Sequence, residues 1–256
     1  MATIDFNFLS TSLLKTVHVK ICLPIYTGAI DAQPPFKTAY ILPGLSNSAN
    51  DMADLAQLRS FSEEYGIATV TFDGDNSFYV DRPMCCYSTL VKEIVDVTRK
   101  MFPLSDKRED TFISGTSMGG FGAFYNGIRY SDIFGKIALS CPGFDIYEIK
   151  NPLTGEAMIP AAYLDTLFGS EENYHNTDFD YRVALKNAIA QGVDIPKLFY
   201  SCGRQDVLVG EGVKKFGAFL KENSIPAEYF ECDGGHDMVF ARQVFPEIFK
   251  FLTEKE

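Results

Sequence analysis

The chain has 256 residues, 46% of them hydrophobic and 22% charged, which suits one large α/β domain and leaves room for a sizeable core. Its 23 lysines and arginines against 34 aspartates and glutamates give a net charge of −11 with no basic run, which argues against a nucleic-acid partner because neutralising phosphates needs clustered positive charge. The same acidic balance disfavours strongly anionic substrates, and no apolar stretch reaches the roughly 18 residues of a membrane span.

Along the chain, Met1 to Phe6 carries neither a basic leader nor a continuous apolar run, so a cytoplasmic protein is expected. Leu14 to Ile21 alternates apolar and polar residues, the period of a half-exposed strand, and Pro24 and the Gly28 to Pro35 region then turn the chain. Short apolar runs follow at Thr38–Leu42, Ile67–Phe72, Thr111–Ser114, Lys136–Ser140, Leu198–Ser201 and Ala227–Glu231. Between them lie helical candidates at Asp51–Tyr65, Tyr87–Phe102, Gly120–Arg129, Tyr181–Gln191, Gly212–Asn223 and Met238–Leu252. Such alternation predicts a mostly parallel central sheet with helices on both faces, and ligands bind such sheets at the carboxyl ends of the strands. The stretch from Pro142 to about Asp180, rich in aromatics with interspersed glycine and proline, breaks the alternation and is read as an insertion over the active site. With no repeat, low-complexity tract or linker, residues 1–256 are read as one domain carrying this insertion. The six cysteines are scattered and mostly beside strand-like runs, which predicts buried thiols rather than a disulfide framework. Cys85 and Cys86 lack the spacing of a zinc site.

The chemical signal is Gly115-Thr116-Ser117-Met118-Gly119, between a buried strand ending at Ser114 and a helix opening at Gly119. A G-x-S-x-G match needs this context: the glycines leave room for a tight strand-to-helix turn, and the serine hydroxyl projects from the sheet's edge. The following helix brings its N-terminal dipole and free N–H groups to where an oxyanion would form. Read structurally, the segment is a glycine-rich turn before a helix.

Serine needs a base within hydrogen-bond reach, and three histidines are available. His18 sits on the alternating N-terminal strand and reads as solvent-facing. His175 lies in the aromatic insertion and reads as a loop or substrate-facing residue. His236, in Asp233-Gly234-Gly235-His236-Asp237, follows the last strand candidate, where a base belongs. The acid should leave an intervening strand, and Asp206 does so after Leu198 to Arg204; Asp194, Asp233 and Asp237 are the alternatives. An oxyanion hole needs the backbone N–H after the nucleophile, at Met118, and one from an early loop. Pro43-Gly44 after the Thr38–Leu42 run would present the Leu45 N–H, although an ordinary Pro-Gly turn reads the same way. Phe78 and Tyr79 are candidates to line an acyl pocket, or to serve as packing.

With these residues in hand, the chain resembles the putative esterase family of α/β-hydrolases, which includes tributyrin and acetyl esterases, S-formylglutathione hydrolases and feruloyl esterases. The matching segments are Ile41–Asn47, Asn76–Asp81, Lys107–Ile113, Gly115–Gly122, Cys202–Asp206 and Gly235–Asp237, in order over nearly the whole chain. The resemblance implies an α/β-hydrolase fold, a Ser117, Asp206 and His236 triad, and hydrolysis of short-chain, small-molecule acyl esters without a metal or organic cofactor. An acyltransferase, an S-formylglutathione or feruloyl-type esterase, and a catalytically silent binding protein on the same scaffold are the alternatives. The sequence departs from the family at Pro43, where a His-Gly pair is usual, and after His236, where Asp237-Met238 replaces an aromatic residue. It also contains no tryptophan. The oligomeric state is left open, a homo-oligomer included.

Overall fold

The computed structural model describes residues 2–25, 32–83 and 85–254, so part of the expected turn from Gly28 to Pro35 lies outside the described residues. In chain order the strands are β1 (Ala2–Ser10), β2 (Lys15–Leu23), β3 (Thr38–Leu42), β4 (Ala68–Phe72), β5 (Asp81–Arg82), β6 (Cys85–Cys86), β7 (Thr111–Thr116), β8 (Lys136–Ser140), β9 (Lys197–Gly203) and β10 (Ala227–Cys232). The helices are α1 (Ala49–Leu55), α2 (Leu58–Tyr65), α3 (Tyr87–Met101), α4 (Met118–Arg129), α5 (Ala161–Phe168), α6 (Glu171–Asn176), α7 (Tyr181–Ala190), α8 (Gly210–Glu222) and α9 (Met238–Thr253).

One eight-stranded sheet runs β1-β2-β4-β3-β7-β8-β9-β10, and β5 with β6 forms a separate ribbon. From β4 to β10 in that order neighbours are parallel, while β1 with β2 and β2 with β4 pair antiparallel. Strands β3, β4 and β8 are buried at every residue, as parallel strands covered on both sides must be, which is why they read as apolar runs rather than alternations. Successive residues of one strand still point to opposite faces. Tyr40, Leu42, Ile113, Ile137 and Leu139 join a core with Leu90 and Val91 of α3, Phe121 and Phe124 of α4, Leu185 of α7 and Phe216 of α8. Ala39, Ile41, Phe112 and Ala138 join the opposite core with Met52, Leu58, Phe61, Val244, Phe245, Ile248 and Phe249 of α1, α2 and α9. The expected helices on both faces are therefore present.

The structure corrects one sequence expectation and adds elements in two stretches. Asp51–Tyr65 is two helices, because Gln57 adopts a left-handed conformation (φ 46°, ψ 42°) that ends one helix and starts the next. The stretch from Pro142 to Asp180 contains α5 and α6. Ahead of the predicted first strand lies β1, whose Ile4, Phe6 and Phe8 alternate with exposed Thr3, Asp5 and Asn7, a period-two signal present in the sequence but not read from it. All six cysteines are free thiols, with Cys22, Cys141, Cys202 and Cys232 buried.

No helix among the described residues is long and apolar enough to cross a membrane.

Candidate active site

Strands β3, β7, β8 and β9 deliver the site at their carboxyl ends. Between β7 and α4, Ser117 holds φ 56° and ψ −115°, a conformation disfavoured for a residue with a Cβ and one that persists only where its surroundings impose it. Here the Ser117 N–H donates to the Ser140 carbonyl at 3.0 Å, and the Ser117 carbonyl accepts from Phe121 and Gly143, also at 3.0 Å. The flanking glycines are steric requirements. A Cβ on Gly115 would lie 2.1 Å from the Gly119 carbonyl oxygen, and one on Gly119 would lie 2.0 Å from that of Leu42. No side chain fits at either position, so the motif encodes close packing of the elbow against β3.

His236 lies between β10 and α9, and its Nδ1 is 2.8 Å from Asp206 Oδ2. The Asp206 side chain is fully buried, and its Oδ1 accepts from the N–H groups of Leu208 and Val209 at 2.9 and 3.0 Å, which fixes the carboxylate where α8 begins. Gln205 ties the two loops together: its N–H donates to the Gly234 carbonyl and its Oε1 accepts from the Gly234 N–H. Burial works against the charged form of the His236 ring, but the Asp206 carboxylate bonded to it and the Cys141 sulfur beside it more than offset this and raise its pKa above the usual imidazole range.

The other acids are engaged elsewhere. Asp194 pairs with Arg108 and Asp233 with Arg204, each at 2.8 Å, while Asp237 caps α9 by accepting from Val239 and Phe240. His18, on β2, lies 3.0 Å from Asp5 Oδ1, and it is not among the residues of the cleft described below.

The loop after β3 presses on the elbow, since a Cβ on Gly44 would sit 3.7 Å from Ser117 Cβ. Leu45 and Met118 both line a cleft of about 660 Å³ together with Ser117 and His236. Its walls are apolar, with Leu55, Phe78, Ile149, Met158, Ile159, Leu208 and Phe240, and among the described residues that line it Asp51, Asp54 and Asp237 stand without a lysine or arginine.

The lining candidates divide. Phe78 borders the cleft and also packs edge-to-face on Phe121 and Phe168, with centroids 5.8 Å away in both cases. Tyr79 does not border it: the ring is fully buried and its hydroxyl donates to the Pro43 carbonyl at 2.9 Å. Its place is beneath the loop that carries Leu45, because an aromatic ring with one polar tip satisfies a buried carbonyl while filling the core. His175 is corrected as well. It sits on α6 with Nδ1 3.0 Å from Asp180, whose carboxylate also binds Arg182, and it lies outside the cleft. Most of the insertion's aromatics turn inward, Phe168 packing on Tyr147, Tyr174 and Phe179, whereas Tyr163 is exposed and donates its hydroxyl to the Asn76 carbonyl at 2.9 Å; the insertion lines the cleft through Gly143, Ile149, Met158 and Ile159. Sequence reasoning missed Asn76, whose side-chain oxygen accepts from the Ser46 N–H at 2.6 Å, and Cys141, which borders the cleft. Asn76 lies beside Phe78 in a segment already singled out, whereas Cys141 reads only as one more buried thiol.

Replacing Tyr79 with phenylalanine strands the buried Pro43 carbonyl. The expected cost is about 1–3 kcal/mol of stability. The loosened loop is expected to lower kcat for ester substrates by about tenfold, equivalent to about 1.4 kcal/mol. Thermal denaturation and steady-state kinetics check both, and an unchanged kcat shows that this bond does not hold the loop.

Residues 10–178 match the model of a family described as putative esterase. The chain is 32% identical over 266 residues to an acetyl esterase of Caldicellulosiruptor saccharolyticus, covering 99% of each chain. Among solved structures it is similar to FphF, a fluorophosphonate-binding serine hydrolase of Staphylococcus aureus, with a TM-score of 0.86, 23% identity and 99% of each chain covered. It is also similar to the S-formylglutathione hydrolase FrmB of Staphylococcus aureus, with a TM-score of 0.83, 24% identity and 99% of each chain covered. The architecture is that of the α/β-hydrolase fold.

Proposed function

The chain belongs to the putative esterase family and is a carboxylic ester hydrolase, and from that premise we propose that it cleaves neutral, short-chain acyl esters through a Ser117, His236 and Asp206 triad. The observation that carries this reading is the 2.8 Å hydrogen bond between buried Asp206 and His236, the latter lining the cleft that also holds Ser117 on its strained elbow.

The chemistry follows from the placement. With the Nδ1 proton donated to Asp206, the neutral His236 ring keeps its Nε2 lone pair free for the Ser117 proton. Ser117 Oγ attacks the ester carbonyl, and the oxyanion that forms is stabilised by the N–H groups of Leu45 and Met118. His236 then passes the proton to the leaving alkoxide, leaving an acyl-Ser117 ester. Water, deprotonated by the same ring, repeats the sequence and releases the acid. No step calls on a cofactor.

Substrate class is read from the cleft wall. Its apolar residues suit a short acyl chain and an uncharged alcohol. Among the described residues of the lining, three aspartates without a lysine or arginine offer nothing to the two carboxylates of a glutathione thioester, and the net charge of −11 repels them further. The similarity to an acetyl esterase points the same way. The expected order of kcat/KM is p-nitrophenyl acetate and butyrate well above longer acyl chains and above S-formylglutathione. A panel of these substrates at fixed ionic strength tests it, and a preference for S-formylglutathione overturns the charge argument.

A further inference from the structure

One side chain at the cleft, that of Cys141, has no part in ester hydrolysis. Cys141 leaves the carboxyl end of β8 with φ 37°, and its N–H is tied to the Ser201 carbonyl at 2.9 Å. The residue borders the cleft, and donor atoms of Cys141, His236 and Asp206 all lie within 4.8 Å of one another. A sulfur, an imidazole nitrogen and a carboxylate oxygen are the donors of a tetrahedral zinc site, in which bonds of about 2.0–2.3 Å place the ligand atoms about 3.5 Å apart. Reaching that spacing takes shifts of about an ångström, within the reach of side-chain rotation. Three protein donors leave a fourth position for water, and the cleft that His236 and Cys141 share can supply it. One thiolate and one imidazole among three donors favour zinc, cobalt or cadmium over magnesium or calcium, which prefer all-oxygen sets.

We propose that Cys141, His236 and Asp206 form an inhibitory site for zinc-like divalent cations. The cation binds the Cys141 sulfur as thiolate, with release of the thiol proton to solvent, and binds His236 at Nδ1, the nitrogen that faces Asp206. The Nδ1 proton moves through solvent to Nε2, so the ring stays neutral. In that tautomer Nε2 carries a hydrogen and no longer accepts the Ser117 proton, and the His236–Asp206 hydrogen bond is replaced by two metal bonds. Cys141 thereby makes the ester-cleaving machinery sensitive to a metal that hydrolysis itself does not need.

The inhibitory consequence rests on the triad reading above, whereas metal binding does not, and the test keeps the two apart. Zinc chloride is titrated into wild type, Cys141→Ser and Cys141→Ala, each normalised to its own metal-free rate on p-nitrophenyl acetate. Inhibition of wild type should reverse with EDTA, and the inhibitory zinc concentration should rise by about a hundredfold or more in both variants. Loss of a mere outer-shell partner already costs about 10–100-fold in metal affinity. In parallel, cobalt(II) chloride is added to Ser117→Ala protein with no substrate present. A near-ultraviolet thiolate-to-cobalt charge-transfer band should develop, and it should vanish when Cys141→Ser is added to that background. Equal zinc sensitivity in wild type and both Cys141 variants, or a cobalt spectrum without a band that depends on Cys141, overturns the proposal. If wild type cleaves no ester, the triad reading fails, and the cobalt band still decides the metal site.

Discussion

Replacing Ser117 with alanine is expected to lower kcat for p-nitrophenyl acetate by roughly 10⁶ while leaving the fold intact. The magnitude follows from the proposed role of the Ser117 hydroxyl as nucleophile, since the oxyanion donors and the cleft can preserve only the part of the rate enhancement that needs no covalent intermediate. The fold survives because the bonds that set the elbow belong to the backbone: the N–H to Ser140 and the carbonyl to Phe121 and Gly143. Alanine keeps the Cβ and hence the same positive-φ strain, so the melting temperature should move little. Fluorophosphonate labelling gives an independent readout, with wild type labelled at Ser117 and the variant not. An alanine variant that retains wild-type turnover sinks the assignment, and a folded wild type that neither labels nor turns over favours the silent binding protein.

The residues expected to do chemistry were legible because each sits where a local pattern changes. Ser117 stands where a buried apolar run becomes a glycine-rich helix start, and Asp206 and His236 each follow a strand-like run across a glycine turn. Their order along the chain, together with the rule that loops at strand carboxyl ends converge, was enough to bring together two residues separated by 30 positions. The supports of the site were hidden because their partners are distant and of another kind. Tyr79 belongs under the Leu45 loop through a bond to a carbonyl 36 residues away, and an aromatic beside a predicted cleft looks the same in sequence whether it lines the cavity or fills the space behind it. His175 is engaged by Asp180 on the same insertion, a local pair that composition alone does not separate from a substrate contact. The break at Gln57 carries neither glycine nor proline, so no local signal announces it. In the insertion, aromatic richness proved to be mostly a packing signal: Phe168, Tyr174 and Phe179 pack on one another, and Ile149, Met158 and Ile159 line the cleft.

Asp206→Asn separates orientation from charge. Asparagine is nearly isosteric with Asp206, and its side-chain oxygen can keep the N–H donors of Leu208 and Val209. Its amide would then face His236 Nδ1 as a donor and hold the ring in the wrong tautomer, so kcat is expected to fall by roughly 10⁴. The pH profile carries the second half of the argument. In the proposed mechanism His236 is a base only when neutral, so activity should rise as pH passes its pKa, and in wild type the acid limb of kcat/KM should lie above the ordinary imidazole value of about 6.5 because Asp206 raises it. Without the carboxylate, the burial of the ring is no longer offset from that side, and the residual activity of the variant should show its acid limb displaced toward lower pH. Stability moves in the opposite sense. A histidine whose pKa is raised in the folded state contributes stability that is fully present below its unfolded value and is lost as pH rises through the folded one. Wild type is therefore expected to gain activity over the same alkaline interval in which it gives up this ion pair's contribution, while Asp206→Asn should show little of that loss. Chemical denaturation of both proteins on either side of the acid limb checks the stability half, and an acid limb that stays in place in the variant shows that Asp206 does not set the His236 pKa.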